Sequence, residues 1–464
     1  MPNERTSSSL DLLVSIDRQA RTPIRAQLEE QLRTAIRSGQ LEPEMALPST
    51  RGLAAALGVT RGLVVECYAQ LQAEGYLTAL PGARTQVASG AAVPEARADG
   101  AELARRPRFD FRPATPDPSL FPRRDWAAAC RDTIRDAPDL AFGYGDPRGA
   151  FELRLALAGY LGRVRGVHPD PRQVVICAGF TQAENLVWRV LRARGADRVA
   201  MEDPGHPAVR RSILNAGMVP VPIPVDELGL CVERLKATEA DAVFVTPAHQ
   251  FPTGAVLAPE RRQALRDWAR DTGGLIFEDD YDAELRYDRQ PIGAIQGLSP
   301  DTVVYCGSAS KSIGPGLRIG WLVCPPAWLD EIVAAKRNED RGSPIVDQLA
   351  LARLLTSGRF DRHLRRVRSR YRSRRDTLER ALSELAPHIR LTGIAAGIHA
   401  VANLPPDADE SVLVAAAAER DVGLYPMSAY RSDHAAEPAA LVLGYGPLSE
   451  ALIHTAIARI ADLL

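Results

Sequence analysis

Beyond about residue 111, short runs of β-forming residues alternate with segments long enough to form helices. The runs are residues 174–177, 199–201, 242–245, 275–278 and 303–306. Parallel strands need a crossover of a dozen or more residues, usually a helix, and the helices then cover the faces of the sheet. The alternation therefore predicts an α/β domain over residues 111–464, built on a mainly parallel sheet.

One long helix is predicted near the C-terminus, over residues 360–385. The apolar residues on one of its faces are Leu364, Val367, Tyr371, Leu378, Leu382 and Leu385. This helix opens a smaller α/β subdomain that begins at about residue 358. Residues 361–376 within it carry the arginines Arg362, Arg365, Arg366, Arg368, Arg370, Arg372, Arg374 and Arg375. Such charge density is typical of a solvated or subunit-facing surface, and an auxiliary contact with DNA is the alternative.

The first ninety residues predict a small helical domain. Apolar residues recur every four positions from Ile24 to Ile36, which indicates a first helix. Ser49 and Thr60 are well placed to cap a second and a third helix, and Gly58 stands where the second helix would end.

A β-hairpin is predicted after the third helix. Its strands cover residues 76–80 and 85–88, and the turn contains Gly82. Three helices and a hairpin make a winged helix-turn-helix, which we predict over residues 21–88, preceded by an N-terminal arm of residues 1–20. Residues 89–110 are rich in Ala, Pro, Gly and Arg without an apolar period, so they are predicted to be a flexible linker.

Composition narrows the class of protein. The formal net charge of -1 excludes nucleic-acid binding through overall basicity, so any such contact needs a local patch. No apolar run approaches the roughly 20 residues that span a bilayer, and residues 1–10 are polar, unlike a signal peptide. We therefore expect a cytoplasmic protein. The six cysteines lie far apart, without the close pairs of a zinc or redox site, so no metal site is expected.

The strongest chemical signal is a glycine-rich stretch, residues 307–320, which directly follows the last predicted strand. Lys311 in this stretch can form a Schiff base. The hydroxyls of Ser308 and Ser310, with the guanidinium of Arg318, can bind and orient a phosphate beside the lysine.

Two other strand ends supply matching groups. Asp279 and Tyr281 follow the fourth predicted strand, at the edge where open parallel sheets bind their ligands. After the first predicted strand, Gly179, Phe180 and Thr181 open a helix whose backbone amides can bind a phosphate.

The N-terminal domain carries a specific motif. Residues 47–51, 59–61 and 74–77 read LPSTR, VTR and EGYL. In this order and spacing they resemble the GntR-type winged helix, over about 65 residues of the chain. The resemblance implies that the domain binds a double-stranded DNA operator, and that the contact residues are Arg51, Thr60, Arg61 and the wing residue Gly82. A recognition helix that starts at Thr60 points its amides at a phosphate or the major groove, and Arg84 is suited to the minor groove.

The remainder of the chain resembles the fold-type I aminotransferases. The motifs that carry the likeness are YGDPRG at residues 144–149, TPAHQFPTG at residues 246–254 and the stretch 307–320. A GntR-type domain followed by such a domain is similar to the MocR family of bacterial regulators. The resemblance implies pyridoxal 5'-phosphate (PLP) as cofactor, held as an aldimine by Lys311. It also implies roles for the other residues: Asp279, rather than Asp280, at the ring nitrogen, Tyr281 at the phenolic oxygen, and Gly179, Phe180, Thr181, Ser308, Ser310 and Arg318 at the phosphate.

Three departures from the aminotransferase pattern bear on activity. Phe251 replaces the asparagine that hydrogen-bonds the cofactor oxygen, and His206 stands where relatives usually have tyrosine. Val442 occupies the place of the arginine that holds the substrate carboxylate, so that a substrate loses its bidentate clamp. Arg431, on a nearby loop, is an alternative clamp, although a solvated role is more typical of a loop arginine.

These features favour a homodimeric transcriptional regulator that senses PLP, or a small amine or amino acid, through aldimine exchange at Lys311. The homodimer is implied by the resemblance, because fold-type I proteins build their PLP sites at subunit interfaces. The alternative is an active PLP-dependent aminotransferase that carries a DNA-binding domain, although the departures favour little sustained turnover. A regulator that has lost the cofactor is a third hypothesis, against which the retained Lys311 and Asp279 argue.

Overall fold

The structure is a computed structural model that describes residues 14–79, 84–89, 107–287, 292–393, 396–433 and 438–464. The chain divides into two compact units, Met1–Arg105 and Arg106–Leu464. Much of the predicted arm, most of the predicted linker and the wing residue Gly82 lie outside the described residues. None of the helices in the described ranges combines the length and the apolar character that a membrane span requires.

The N-terminal unit contains the predicted three helices and hairpin. They are α1 Ile24–Arg37, α2 Thr50–Leu57, α3 Arg61–Ala73, β1 Leu77–Thr78 and β2 Gln86–Val87, and the two strands pair antiparallel. Its core is a single cluster in which Leu28, Leu32, Leu53, Val64 and Leu71 are buried.

Both predicted helix caps of the N-terminal unit are present. The Ser49 hydroxyl accepts a hydrogen bond from the Gly52 amide at 3.1 Å, and the Thr60 hydroxyl accepts one from the Leu63 amide at 3.4 Å. Gly58 ends α2 with a φ of 63°, a left-handed conformation that glycine adopts without strain. Local sequence therefore fixes where α2 and α3 begin, and with them the angle of the helix-turn-helix.

The larger unit contains an eight-stranded sheet with helices on its faces. Its elements in chain order are β3 Phe109–Asp110, α4 Arg123–Asp136, α5 Phe151–Arg165, β4 Val174–Cys177, α6 Phe180–Ala193, β5 Arg198–Asp203, α7 Pro207–Asn215, β6 Val219–Asp226, β7 Gly229–Leu230, α8 Val232–Lys236, β8 Ala242–Val245, α9 Pro259–Thr272, β9 Leu275–Asp280, β10 Val303–Ser308, β11 Gly320–Val323, α10 Pro326–Glu339, α11 Ile345–Thr356, α12 Arg359–Leu385, β12 Arg390–Thr392, β13 His399–Asn403, α13 Glu410–Glu419, β14 Val422–Gly423, β15 Ala440–Gly444 and α14 Glu450–Ile460. The strand order is β4-β11-β10-β9-β8-β5-β6-β7. All five strands predicted from the alternation, β4, β5, β8, β9 and β10, are in this sheet.

The sheet is mainly parallel, as predicted, with one inserted antiparallel strand. Strand β11 runs antiparallel to both β10 and β4, so β4 and β10 point the same way. Strands β5, β8, β9 and β10 pair parallel in series. The carboxyl ends of the five predicted strands therefore meet along one edge, which is where the candidate site residues lie.

A smaller subdomain follows α11. Helix α12 packs against α14, and the three-stranded antiparallel sheet β12-β13-β15 shares with them one buried cluster that includes Tyr371, Leu382, Leu441 and Ile457. Strand β3, before the large sheet, pairs parallel with β14. Strand β3, which precedes the large sheet in the chain, and the C-terminal helix α14 are thus part of the same subdomain.

Candidate functional site

Eight of the predicted cofactor residues surround one cavity of about 190 Å³ at the carboxyl edge of the sheet. They are Phe180, Thr181, Asp279, Tyr281, Ser308, Ser310, Lys311 and Arg318. The ninth, Gly179, precedes α6 and contacts Arg318 with its backbone. The parallel topology brings together residues that are up to 139 positions apart in the sequence, Gly179 and Arg318 being the extremes.

One end of the cavity is an anion cup, formed by the N-terminus of α6, the hydroxyls of Ser308 and Ser310, and the Arg318 guanidinium. Gly179 has a φ of 80°, and a Cβ there would lie 2.8 Å from the Arg318 Nη2 atom. Arg318 is itself in the left-handed region and donates to the Ala178 carbonyl at 2.8 Å. Free helix amides, hydroxyls and a guanidinium are the donors that a phosphate requires.

Lys311 lies beside this cup, just after β10. Its Nζ atom donates a hydrogen bond to the carbonyl of Ala114, a residue that lines the same cavity. Burial lowers the pKa of the Lys311 ammonium, although the charges of Asp282 and Asp279 oppose this shift. A lower pKa increases the fraction of neutral amine, which is the nucleophile in Schiff-base formation.

The adjacent carboxylates Asp279 and Asp280 face opposite sides of the sheet. Strand β9 extends through Asp280, beyond its predicted end, and side chains alternate along it. Asp280 accepts from the Arg165 Nε atom at 2.6 Å and from the Tyr305 hydroxyl at 2.6 Å. Asp279 faces the cavity, and burial, reinforced by the charge of Asp280, raises its pKa well above the usual range.

Asp279 is thus a buried carboxyl that forms no ion pair among the described residues, and the nearby charge of Lys311 does not offset its burial. A protonated ring nitrogen next to it would supply that missing positive charge and restore the ionised form. Together with Lys311 and the anion cup, this arrangement fits PLP, whose aldehyde, ring nitrogen and phosphate would each meet a group of matching chemistry.

Tyr281 forms the wall of the cavity next to Asp279. Its hydroxyl lies 3.1 Å from the Nδ1 atom of His249, and the same Nδ1 atom lies 2.8 Å from an Asp282 oxygen. Burial raises the pKa of the Tyr281 phenol well above its usual value, and the negative charges of Asp282 and Asp279 act in the same direction. The phenol therefore stays protonated and can donate a hydrogen bond.

A polar network missed by the sequence reasoning supports the opposite wall. Glu202, which lines the cavity, accepts hydrogen bonds from the Thr246 amide at 3.1 Å and hydroxyl at 2.6 Å. Gln250 donates to the carbonyls of Pro204 and Phe251 and so connects two loops of the cavity. The available signal was positional, because these polar residues lie at the carboxyl ends of β5 and β8, where a parallel sheet binds ligands.

The three departures noted in the sequence have different locations. Phe251 and His206 both line the cavity, with ring centroids 5.2 Å apart, and burial lowers the pKa of His206 to about 4. Val442 is fully buried in β15 and does not line the cavity. The Arg431 guanidinium donates to the Pro438 carbonyl at 2.7 Å and is also outside the cavity lining. The described cavity wall thus contains no arginine other than Arg318 of the anion cup.

The predicted DNA-contact residues are at the surface of the N-terminal unit. Arg51, Thr60, Arg61 and Arg84 are all exposed, and Gly82 lies outside the described residues. On the other helices, Arg25 pairs with Glu29 and Arg33 pairs with Glu74. Arg25 and Arg33 of α1 are thus paired with acids, whereas Arg51 and Arg61 are exposed near the N-termini of α2 and α3, the end of a helix that favours anions.

Within the described ranges, no group of three or more His, Cys, Asp or Glu side chains is arranged to hold a metal ion.

Comparison with known proteins agrees with both units. The family "Bacterial regulatory proteins, gntR family" matches residues 24–87, and "Aminotransferase class I and II" matches residues 115–451. The pyridoxine biosynthesis transcriptional regulator PdxR of Corynebacterium glutamicum is 33% identical over 97% of this chain and 98% of its own length. The probable rhizopine catabolism regulatory protein MocR of Rhizobium meliloti is 32% identical over 93% of this chain and 92% of its own.

Solved structures of aminotransferases match the larger unit. The kynurenine aminotransferase of Pyrococcus horikoshii has a TM-score of 0.70 and 26% identity, over 76% of this chain and 90% of that one. An archaeal alanine:glyoxylate aminotransferase has a TM-score of 0.71 and 26% identity, over 78% and 91%. A GntR-type DNA-binding domain followed by a fold-type I aminotransferase-like domain, with near full-length relatives that regulate transcription, identifies this chain as a member of the MocR/PdxR-type family of transcriptional regulators.

Proposed function

We propose that this regulator binds PLP in the cavity around Lys311, and that PLP, or a primary amine that reacts with it, changes the affinity for operator DNA. The observation that carries the proposal is the convergence of Lys311, Asp279 and the anion cup on one cavity, in a chain that also has a GntR-type domain. A site with a nucleophile, a ring-nitrogen partner and a phosphate site has little reason to persist in a protein that senses something unrelated.

PLP supplies an aldehyde that condenses with an amine, with loss of water, and that can pass from Lys311 to a second amine. The residues of the chain prepare that exchange. The buried Lys311 holds a larger fraction of neutral amine, the Asp279 carboxylate would accept a hydrogen bond from the protonated ring nitrogen, and the anion cup would hold the phosphate. An incoming amine would free the Lys311 side chain and so change the contacts that it makes, beginning with the Ala114 carbonyl.

The effector exerts control only if it binds one DNA-binding state better than the other. By linkage, the factor by which the effector changes operator affinity equals the factor by which the operator changes effector affinity. A reciprocal effect of this kind would distinguish a sensor from a regulator that carries PLP as a passive structural group.

An active aminotransferase is the second candidate, favoured by the retained Lys311 and Asp279. The cavity walls argue for the regulator, since Phe251 and His206 face the ring site and Val442 is buried elsewhere. Apart from Arg318 in the anion cup, the described cavity wall offers no arginine that could bind a substrate carboxylate. Orientation by a bidentate clamp supplies much of the rate in bimolecular group transfer, so turnover should be slow.

We also propose that the active unit is a homodimer. Near α4, α5 and α11, a groove of about 1240 Å³ is lined in part by exposed apolar side chains, with Leu140 89% and Phe151 53% exposed. Exposed apolar side chains grouped along a groove are typical of an interaction surface, and a second copy is the occupant that the fold-type I resemblance implies. A dimer would also present two winged helices to two half-sites of an operator.

The decisive experiment combines spectroscopy with DNA binding. Wild type and Lys311→Ala are titrated with PLP and then with a panel of primary amines, and the visible absorption band is recorded. The affinity for an operator duplex, selected from a random library, is measured in parallel by fluorescence anisotropy. We expect a Lys311-dependent band, and an amine that shifts both the band and the affinity. No band in wild type would refute PLP binding, and sustained conversion of an amino acid and a keto acid would favour the enzyme.

Arg61→Ala serves as the control for the DNA half. It should weaken operator binding and leave the absorption band unchanged, because Arg61 belongs to the N-terminal unit. Loss of one phosphate contact would also reduce the slope of log affinity against log salt by about one.

A further inference from the structure

A histidine and an aspartate stand behind the cavity wall, where the proposed function gives them no role. His249 and Asp282 are 3% and 2% exposed, and neither lines the cavity. They contact Tyr281, which does line it, through the Nδ1 atom of His249. A buried pair of ionisable residues this close to the cofactor site is costly to maintain without a partner for each polar atom.

We propose that His249, held by Asp282, positions the Tyr281 hydroxyl toward the phenolic oxygen of PLP, and that this pair replaces the hydrogen bond that Phe251 cannot make. The inference rests on the proposed function, since it assigns the PLP ring to this cavity. His249 and Asp282 are positioning residues in this arrangement, and Tyr281 is the residue that touches the cofactor.

The hydrogen-bond geometry determines which way the protons point. The Asp282 carboxylate accepts hydrogen bonds, so the Nδ1 atom of His249, 2.8 Å away, carries the proton. Nδ1 then has no lone pair to accept the phenolic proton of Tyr281, which lies 3.1 Å from it. The Tyr281 hydroxyl consequently keeps its own O–H, for which the Asp282 carboxylate and the phenolic oxygen of PLP are the two acceptors, and the imidazole fixes the hydroxyl oxygen in place.

The small subdomain locks this pair from the other side. A Cβ on Gly397 would lie 2.5 Å from an Asp282 oxygen and 2.5 Å from the Cε1 atom of His249. The carbonyl of Gly397 accepts from the Tyr445 hydroxyl at 3.1 Å, which fixes this backbone over the pair. The ring of His399 packs 5.2 Å from that of His249. His249 is therefore held by both the large sheet and the subdomain, and has little room to adopt another orientation.

Phe251 completes the wall without competing for the hydrogen bond. Its ring meets Tyr281 edge to face at 6.1 Å and His399 at 5.2 Å. An aromatic ring here excludes water from the Tyr281 hydroxyl and offers no donor to the cofactor oxygen. The hydrogen bond lost at position 251 is thus available from Tyr281, which contacts His249, two residues before Phe251 in the same loop.

The test compares two substitutions of similar size that differ in whether a hydrogen-bond donor to Asp282 is kept. His249→Asn places an amide nitrogen near the position of Nδ1 and keeps a donor to Asp282, whereas His249→Leu removes it. Each is made in the full-length protein loaded with PLP, alone and combined with Tyr281→Phe. The readout is the pH midpoint of the Lys311-dependent visible band. The other charged groups that face the cluster, Asp279, Glu202, Lys311 and Arg286, are unchanged in every variant.

Loss of a hydrogen bond to the phenolic oxygen destabilises its negative charge, so the neighbouring nitrogen keeps its proton to higher pH. We expect the midpoint to rise by about one unit in His249→Leu and in Tyr281→Phe, with no further rise in the double variant. His249→Asn should stay near wild type. If His249→Leu does not fold, Asp282→Asn tests the same link, and it should raise the midpoint in the same direction by a smaller amount.

Two results would overturn the inference. Shifts that add in the double variant would mean that His249 acts independently of Tyr281. A wild-type midpoint in His249→Leu or Asp282→Asn would mean that Tyr281 needs no support. If wild type shows no Lys311-dependent band at all, the proposed PLP binding itself fails, and that outcome is distinct from a band whose midpoint does not move.

Discussion

Asp279 and Asp280 are neighbours in sequence, and we predict that substituting Asp280 lowers stability, whereas substituting Asp279 weakens PLP binding. Asp280 forms a buried ion pair with Arg165, in which both side chains are about 5% exposed or less and the atoms are 2.6 Å apart. Removing one member of such a pair leaves an uncompensated charge and costs about 3–5 kcal/mol. Asp279 has no such partner, so Asp279→Asn should change the free energy of unfolding by less than about 1 kcal/mol.

The free-energy cost of losing Asp280 can be converted into a change in melting temperature. Unfolding entropy is about 2.1 cal/mol/K per residue, which gives roughly 0.75 kcal/mol/K for the larger unit, Arg106–Leu464. Asp280→Ala should therefore lower the melting temperature of that unit by about 4–7 °C. Circular dichroism in a Lys311→Ala background measures this without covalent attachment of PLP.

Cofactor affinity should show the reverse order. Asp279→Asn should weaken PLP binding in the Lys311-containing protein, whereas Asp280→Ala, assayed well below its melting temperature, should leave the affinity for PLP close to that of wild type. The reasoning is refuted if Asp280→Ala melts within about 2 °C of its parent, or if Asp279→Asn loses as much stability as Asp280→Ala.

Three further predictions concern other parts of the chain. Thr60→Ala removes the cap that accepts from the Leu63 amide, so it should cost about 1 kcal/mol in the N-terminal unit by denaturant unfolding, whereas Thr60→Ser should not. Burial raises the pKa of Glu202 to about 7, so the folded chain keeps a proton that the unfolded chain loses as pH rises from about 4.5, and this carboxyl makes stability fall with rising pH. Glu202→Gln stays neutral and keeps an acceptor for Thr246. Its free energy of unfolding, relative to that of wild type, should therefore be higher at pH 8 than at pH 5, and an equal difference at both pH values would contradict this. Leu140→Asp, at a side chain 89% exposed, should shift the proposed dimer toward monomer in sedimentation velocity, and an unchanged dimer would place the interface elsewhere.

Much of the fold was predictable because it depends on local signals that tertiary structure did not override. The five predicted strands have runs of buried, mostly apolar residues, and the caps at Ser49 and Thr60 lie where a polar residue precedes an apolar period. Strand β6 was missed because prolines alternate with aliphatic residues along it, and proline is a poor predictor of a strand. Here the alternation places every proline on the side away from β5, so that the ladder to β5 remains intact.

The residues of the candidate site could be predicted from sequence where they belong to a contiguous motif, and less well where they meet only through the tertiary structure. Lys311, Ser308 and Arg318 follow from one contiguous stretch. The choice of Asp279 over Asp280 depends on which face of β9 is turned to the cavity, and the strand continues one residue further than its apolar run suggests. His249 and Asp282 are 33 residues apart and meet only because β8 and β9 are neighbours in the sheet. No local pattern reports that contact.

The inserted strand β11 limits which substitutions near the anion cup the fold can tolerate during evolution. A Cβ on Gly320 would lie 2.9 Å from the carbonyl carbon of Gly179, and a Cβ on Gly179 would meet the Arg318 guanidinium. The backbone contact that seats β11 beside β4 is therefore the same contact that shapes the anion cup. Substitution of either glycine would disturb the sheet itself, whereas replacement of Lys311 would leave this backbone contact intact. If the chain binds PLP as proposed, a relative that no longer uses the cofactor should lose the lysine before it loses the anion cup.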